Sequence, residues 1–290
     1  MRLATAIIDG RRTAVRIDGD SAVELGHPDL RALLEQDAWR ERAAQTDGPR
    51  HQLMNLGYAP LVPIPSKILC VGLNYRSHIL EMGRELPSHP TLFAKFPDTL
   101  LGAHDDLVLP AVSDEVDWEA ELGVVVGAPV RRATREQAAA AIAGYTVVND
   151  VSMRDWQWRT QQWLSGKAFE ATTPVGPWLV TPDECGDAAD LELRCEVDGA
   201  VMQSARTSDL VFGPAELVAY ISAITTLRPG DLIVTGTPGG VGAARDPKVF
   251  LAPGQVLRTV IQSIGECHNR CVAEGGVAAT AAGTGAEARR

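Results

Sequence analysis

Two apolar, β-branched runs in the middle of the chain, Leu122 to Val126 and Tyr145 to Val148, have the length and composition of buried strands. Each carries carboxylates at one end. The residues Asp-Trp-Glu-Ala-Glu, 117–121, precede the first run, and Asp150 closes the second. Between the runs, the alanine-rich stretch Thr134 to Ala143 predicts a helix capped by Thr134. Side chains two apart leave the same face of a strand, so Glu119 and Glu121 converge, and Asp150 joins them where the two strands are neighbours. Two arrangements satisfy this pattern. The acids can face solvent at strand ends, the commoner fate of an E-x-E. Alternatively they pack together around a hard divalent cation, Mg²⁺ or Mn²⁺, which offsets a burial cost of several kcal/mol per charge.

The same patterning orders the rest of the chain. Strands at Leu3 to Ile8 and Thr13 to Ile17 flank a turn at Asp9-Gly10, and a helix is predicted over Asp29 to Ala44 with Asp29 as N-cap. Pro60, Pro63 and Pro65 then interrupt regular structure, so residues 1–62 read as a small N-terminal α/β domain. Lys67 to Val71 is a short strand that turns into a helix, Arg76 to Met82, ended by Gly83. The segment T-L-F-A-K-F-P places Lys95 in an apolar setting. Thr172 to Val180, with Pro174, Gly176 and Pro177, is expected to be an irregular connector leading to a strand. A hairpin turns at Asp198-Gly199, a helix covers Pro214 to Ile224, and strands follow at Leu232 to Thr235 and Val256 to Ile264. The tail from Gly275, residues 275–290, is rich in Ala, Gly and Thr and is expected to be disordered.

Composition narrows the function classes. At 290 residues, 45% hydrophobic and 22% charged, the chain has an ordinary globular composition. The net charge of −10 gives a nucleic-acid partner no electrostatic support. No apolar stretch approaches the roughly 20 residues of a membrane span. The N-terminus lacks a signal peptide's apolar core, so a cytoplasmic location is expected. The five cysteines are scattered and odd in number, which favours reduced thiols. Cys267-His268-x-x-Cys271 has no second pair to complete a zinc site and reads as strand and loop thiols.

Further candidate chemistry lies around the acidic stretch. His78 and Glu81 are three apart on one helix face, where a carboxylate can orient an imidazole for general-base work; a surface pair without function has the same spacing. Arg154 and Gln157 can donate to a substrate carboxylate, and Lys167 can neutralise an oxyanion. Trp156, Trp158 and Trp163 read as packing or interface residues. The loop T-G-T-P-G-G-V-G, containing Thr237, offers close backbone approach and hydroxyls for a carboxylate, while its glycine spacing fits neither a phosphate loop nor a dinucleotide fingerprint.

Taken together, K-I-L-C-V-G-L-N-Y-R-S-H-I-L-E-M, D-W-E-A-E-L-G-V-V-V-G, G-Y-T-V-V-N-D-V-S-M-R-D-W-Q, G-K-A-F-E-x-x-x-P-V-G-P and P-G-D-L-I-V-T-G-T-P-G-G-V-G resemble the fumarylacetoacetate hydrolase family, in the family's order, over residues 66–265. The resemblance implies an α+β, β-rich fold. A catalytic domain, residues 66–274, would have mixed β-sheets rolled into a barrel-like structure beside the small N-terminal domain, usually in a homodimer. It implies Mg²⁺ or Mn²⁺ on Glu119, Glu121 and Asp150, an active-site lysine at Lys167, and substrate contacts from Arg154, Gln157 and Thr237. His78 and Glu81 match the lid dyad of the acylpyruvate hydrolase and oxaloacetate decarboxylase branch. One departure is K-A-F-E at 167–170, where many members have K-G-F-D or K-S-F-D.

The implied reaction is metal-dependent hydrolysis of the C–C bond of an acylpyruvate-type 2,4-dioxo acid to pyruvate and a carboxylic acid. Oxaloacetate decarboxylation and keto-enol tautomerisation or isomerisation of a related dicarboxylate share the same enolate. A non-catalytic small-acid-binding protein is the reading of another class; it predicts a lost ligand or lysine, and all four residues are present.

Overall fold

The computed structural model describes residues 1–275, so the expected disordered tail, apart from Gly275, lies outside the described residues. Ala120–Val126 and Ile142–Asn149 are antiparallel neighbours, with Ala120 opposite Asn149 and Glu121 opposite Val148. Every residue of both strands is buried, which is why they read as continuous apolar runs. They lie inside a 12-stranded sheet. On one side follow Leu232–Val234, Ile68–Gly72 and, at the edge, Thr91–Lys95. On the other follow Thr173–Val180, Arg2–Ile8, Arg11–Asp18, Ser21–Glu24 and the edge strand Arg50–Gln52.

That path is open. No pairing among the described residues joins its two edges, so the sheets do not close into the expected barrel. A second sheet of five strands, including Glu192–Val197, Val256–Ile261 and Gly265–Ala273, packs on the first. Leu122, Val124 and Val147 meet Leu193, Cys195 and Leu257 in the main core.

The N-terminal residues are continuous with this frame. Arg2 and Leu3 pair with Val180 and Leu179. Leu3, Leu30 and Leu33 share an apolar cluster with Val125, Val148 and Leu232. The predicted 29–44 helix is two helices, Leu30–Leu34 and Trp39–Gln45, because Ala38 takes a left-handed backbone at φ 51° between them. Asp29 does cap the first, accepting from Ala32 N at 2.9 Å.

Thr173–Val180 is itself a strand, not an irregular connector. Pro177 is tolerated because the ladder is interrupted there: the register with Ile142–Asn149 shifts between Tyr145 and Val147, opposite Val180 and Gly176. The hairpin turn forms as expected, with Asp198 and Gly199 both at positive φ, 50° and 79°. No helix among the described residues is long and apolar enough to cross a membrane.

Candidate active site

The strand register assembles the acids. Asp150 N donates to Glu119 O at 2.8 Å, and one oxygen from each of Glu119, Glu121 and Asp150 lies within 4.8 Å of the others. All three residues are buried. Such a cluster needs compensating positive charge. Lys167, ending the short helix Leu164–Lys167, donates to Glu119 at 2.6 Å and to Asp150 at 2.9 Å. Lys95, ending an edge strand, pairs with the other Asp150 oxygen. Arg154 reaches Glu119 Oε1 at 2.7 Å.

Glu121 is treated differently. Its one hydrogen-bond donor among the described residues is the Gly236 backbone N–H, and it makes no ion pair. Burial first, then Asp150 and Glu119, push its carboxyl pKa well above the ordinary range. Burial acts in the same direction on Asp150, but Lys167 and Lys95 outweigh it and hold that carboxyl low. Burial would lower the Lys167 ammonium; Asp150 and Glu119 outweigh it and raise its pKa. Three convergent carboxylate oxygens, one of them paired with no cation, are a hard anionic donor set that fits Mg²⁺ or Mn²⁺.

Glu119, Glu121, Arg154 and Lys167 border a cavity of about 510 Å³, with Asp150 and Lys95 buried behind them. Glu119, Glu121, Arg154, Gln157 and Lys167 give it a polar side, while Leu73, Phe93, Trp158 and Trp163 form apolar wall. Trp158 and Trp163 therefore line the cavity, a use that their spacing did not reveal. Gly72 makes room for Trp163, since a Cβ there would stand 2.4 Å from the indole.

The donors differ in what they have left to offer. Arg154 Nε donates to Asp117 at 2.8 Å and Nη1 to Gln157 Oε1 at 2.8 Å, while Nη2 is buried without a partner. The Gln157 amide nitrogen makes no bond among the described residues. Thr237 lines the cavity, but its hydroxyl already donates to Ala120 O at 3.0 Å and accepts from Gln203 Nε2 at 2.8 Å. Thr237 thus keeps one hydroxyl lone pair and no free O–H.

His78, on the helix Arg76–Glu81, also lines the cavity and is half-buried. Burial lowers its pKa, with Arg154 and Arg84 adding to that and Glu81 and Glu119 opposing. His78 and Glu81 make no hydrogen bond to each other among the described residues. Both flank Gly239, where a Cβ would stand 3.3 Å from His78 Nδ1 and 3.3 Å from Glu81 Oε2.

Three residues of the site carried no assignment from sequence: Asp117, Lys95 and Gln203. A lysine closing an apolar strand demands a buried acid, and a charge heading D-W-E-A-E demands a buried partner. Those were the only available signals, and neither names the partner. Cys267 and Cys271 lie buried in the strand Gly265–Ala273 while His268 is exposed, so the three do not converge on a metal.

Buried acids and cations that compensate one another at a cavity, with a histidine beside them, form an enzyme's constellation. Residues 67–272 match the family model described as fumarylacetoacetate (FAA) hydrolase, C-terminal, and the chain belongs to the fumarylacetoacetate hydrolase family. It is 43% identical over 225 residues to a protein of Rattus norvegicus described as oxaloacetate tautomerase Fahd2a, mitochondrial, covering 77% of this chain and 71% of that one. It is 44% identical over 201 residues to 2,4-didehydro-3-deoxy-L-rhamnonate hydrolase from a Sphingomonas strain, covering 69% and 70%. The structure of 5-carboxymethyl-2-hydroxymuconate delta-isomerase from Mycobacterium smegmatis superposes with a TM-score of 0.80 at 34% identity, over 95% of this chain and 100% of the other. The protein is an enzyme of this hydrolase, tautomerase and isomerase family.

Proposed function

We propose that this enzyme hydrolyses the C3–C4 bond of an acylpyruvate-type 2,4-dioxo acid, releasing pyruvate and a carboxylic acid. The observation that carries the reading is the grouping, at one cavity, of three convergent carboxylates of which Glu119 and Glu121 line it, a lysine between two of the three, an arginine with an unused N–H and a histidine biased toward its neutral form. Glu119, Glu121 and Asp150 would hold Mg²⁺ or Mn²⁺, which when bound supplies Lewis-acid polarisation of the substrate's 2-oxo group.

The chain's own groups do the rest. Arg154 Nη2 and the Gln157 amide bind the substrate carboxylate. His78, neutral at physiological pH, takes a proton from the water that attacks C4. Lys167 uses two of its three N–H donors on Glu119 and Asp150, and the third holds the oxyanion that forms at C4. Collapse of that oxyanion breaks the C3–C4 bond. The bonding pair leaves with C3, and a proton then completes pyruvate. Glu81 acts on His78 through its charge.

A second reading is keto-enol tautomerisation of oxaloacetate or a related 2-oxo dicarboxylate. It draws support from the rat relative's description, and moving a C3 proton requires a base but no activated water. The test follows pyruvate release and enol absorbance with acetylpyruvate and larger acylpyruvates, with Mg²⁺ and with EDTA, and oxaloacetate in parallel. Mg²⁺-dependent pyruvate from an acylpyruvate is the expected result. Accelerated oxaloacetate enol decay with no pyruvate from any acylpyruvate overturns hydrolysis in favour of the second reading.

A further inference from the structure

Asp117 is wholly buried and does not line the cavity, yet its carboxylate is fully engaged. One oxygen accepts from Trp118 N at 2.8 Å and Gly242 N at 2.6 Å. The other accepts from Ala243 N at 3.0 Å and Arg154 Nε at 2.8 Å. The four donors come from three separate parts of the chain. One is Trp118, next to Asp117 itself. The second is the turn Gly242–Ala244, whose Ala243 and Ala244 line the cavity. The third is Arg154, on the helix Arg154–Gln157.

The fit around this carboxylate is close. A Cβ on Gly242 would stand 2.8 Å from Asp117 Oδ1 and 1.8 Å from Val249 O, so the turn can approach only as glycine. A guanidinium anchored at Nε by one carboxylate and at Nη1 by another cannot swing about its own axis. The anchoring fixes where the unpartnered Nη2 lies.

We infer that Asp117 is a positioning residue. It locks the plane of Arg154 and ties that side chain to the Gly242–Ala244 turn, so that the two sides of the cavity present one fixed shape to the substrate carboxylate. The inference rests on the reading that Arg154 binds that carboxylate.

The test compares Asp117→Asn, Arg154→Gln and the double variant in the Mg²⁺- or Mn²⁺-loaded enzyme, on whichever substrate the wild type turns over. Asn keeps an acceptor for Trp118 N and Gly242 N but sets an N–H against both Arg154 Nε and Ala243 N. Asp117→Asn is expected to raise KM about 10- to 100-fold, the worth of one charge-assisted hydrogen bond, with kcat changed far less. Mn²⁺ affinity is expected to stay within about threefold, because no ligand is removed. The double variant is expected to have the KM of Arg154→Gln alone, since both changes act through one guanidinium.

If Arg154→Gln raises KM and Asp117→Asn does not, or if the two effects simply add, the positioning role is overturned while the carboxylate-binding reading stands. If Arg154→Gln leaves KM unchanged, that reading falls and the inference with it. Should Asp117→Asn fail to fold, hydrogen exchange at the Arg154 Nε–H in wild-type protein decides. Protection is expected, and exchange as fast as that of exposed arginines overturns the proposal.

Discussion

Lys95 and Asp150 form an ion pair in which neither side chain retains any exposure. Asp150 also accepts from Lys167, so one carboxylate is shared by two buried ammonium groups. Removing one of them leaves buried charge undercompensated. Lys95→Met is expected to lower the free energy of unfolding by about 3 kcal/mol, at the low end for breaking a buried pair because Lys167 remains. Urea unfolding without metal measures it, and a loss below about 1 kcal/mol would show that Lys167 alone suffices.

Glu121 carries the least compensated charge of the triad. Glu121→Gln is expected to leave the metal-free protein at least as stable as wild type, because it removes the charge that burial and the two neighbouring acids oppose. Mg²⁺ or Mn²⁺ is expected to raise the melting temperature of the wild type, and the substitution is expected to abolish that rise. Thermal scans with and without 1 mM-scale metal check both; a metal-induced rise that survives the substitution removes Glu121 from the ligand set.

The same group sets a pH trend in the metal-free protein. Its folded pKa is raised, so its contribution to stability is fully present below the ordinary carboxylate value and is lost as pH rises from there through the folded value. Wild-type stability minus that of Glu121→Gln is therefore expected to fall as pH rises above about 4.5. Paired urea titrations across pH 5 to 8, run in chelator, follow this difference, and a difference that grows with pH would contradict the assignment.

His78 lines the cavity. Burial lowers its pKa, with Arg154 and Arg84 assisting, so the neutral imidazole prevails at neutral pH. The acid limb of kcat/KM is expected below the usual histidine value of about 6.5, with activity flat above it. His78→Ala is expected to cut kcat by about 10²- to 10⁴-fold while Mn²⁺ affinity stays near that of wild type. A large loss of metal binding would show that His78 supports the metal site and is not a base.

Much of the candidate site was legible in the chain because its signals are local. The E-x-E spacing and Asp150 at the end of an apolar run come from the period-two geometry of strands, and Leu122 to Val126 and Tyr145 to Val148 are indeed buried strands. The Asp-Gly turn and the Thr134 cap depend on neighbours within three or four residues, and both form as written. Cys267 and Cys271 read as strand and loop thiols because no second pair completes a metal site, and both lie in the strand Gly265–Ala273, which the expected strand ending at Ile264 did not reach.

What the chain could not reveal is which distant groups meet. Local preference does not specify that Lys95 meets Asp150, that Asp117 takes Arg154 and the Gly242 turn, or that Thr237 gives its hydroxyl to Ala120. Those pairings follow from sheet order and register, which are settled by burial summed over the whole fold. Closure was likewise undetermined, since edge strands are hydrogen-bonded or left open by long-range packing, and here the sheet stays open. The sequence by itself determined the residue types of the site and the strands that carry them. Only the tertiary structure decided the pairing of charges, because a buried charge must find its partner in space, wherever that partner lies along the chain.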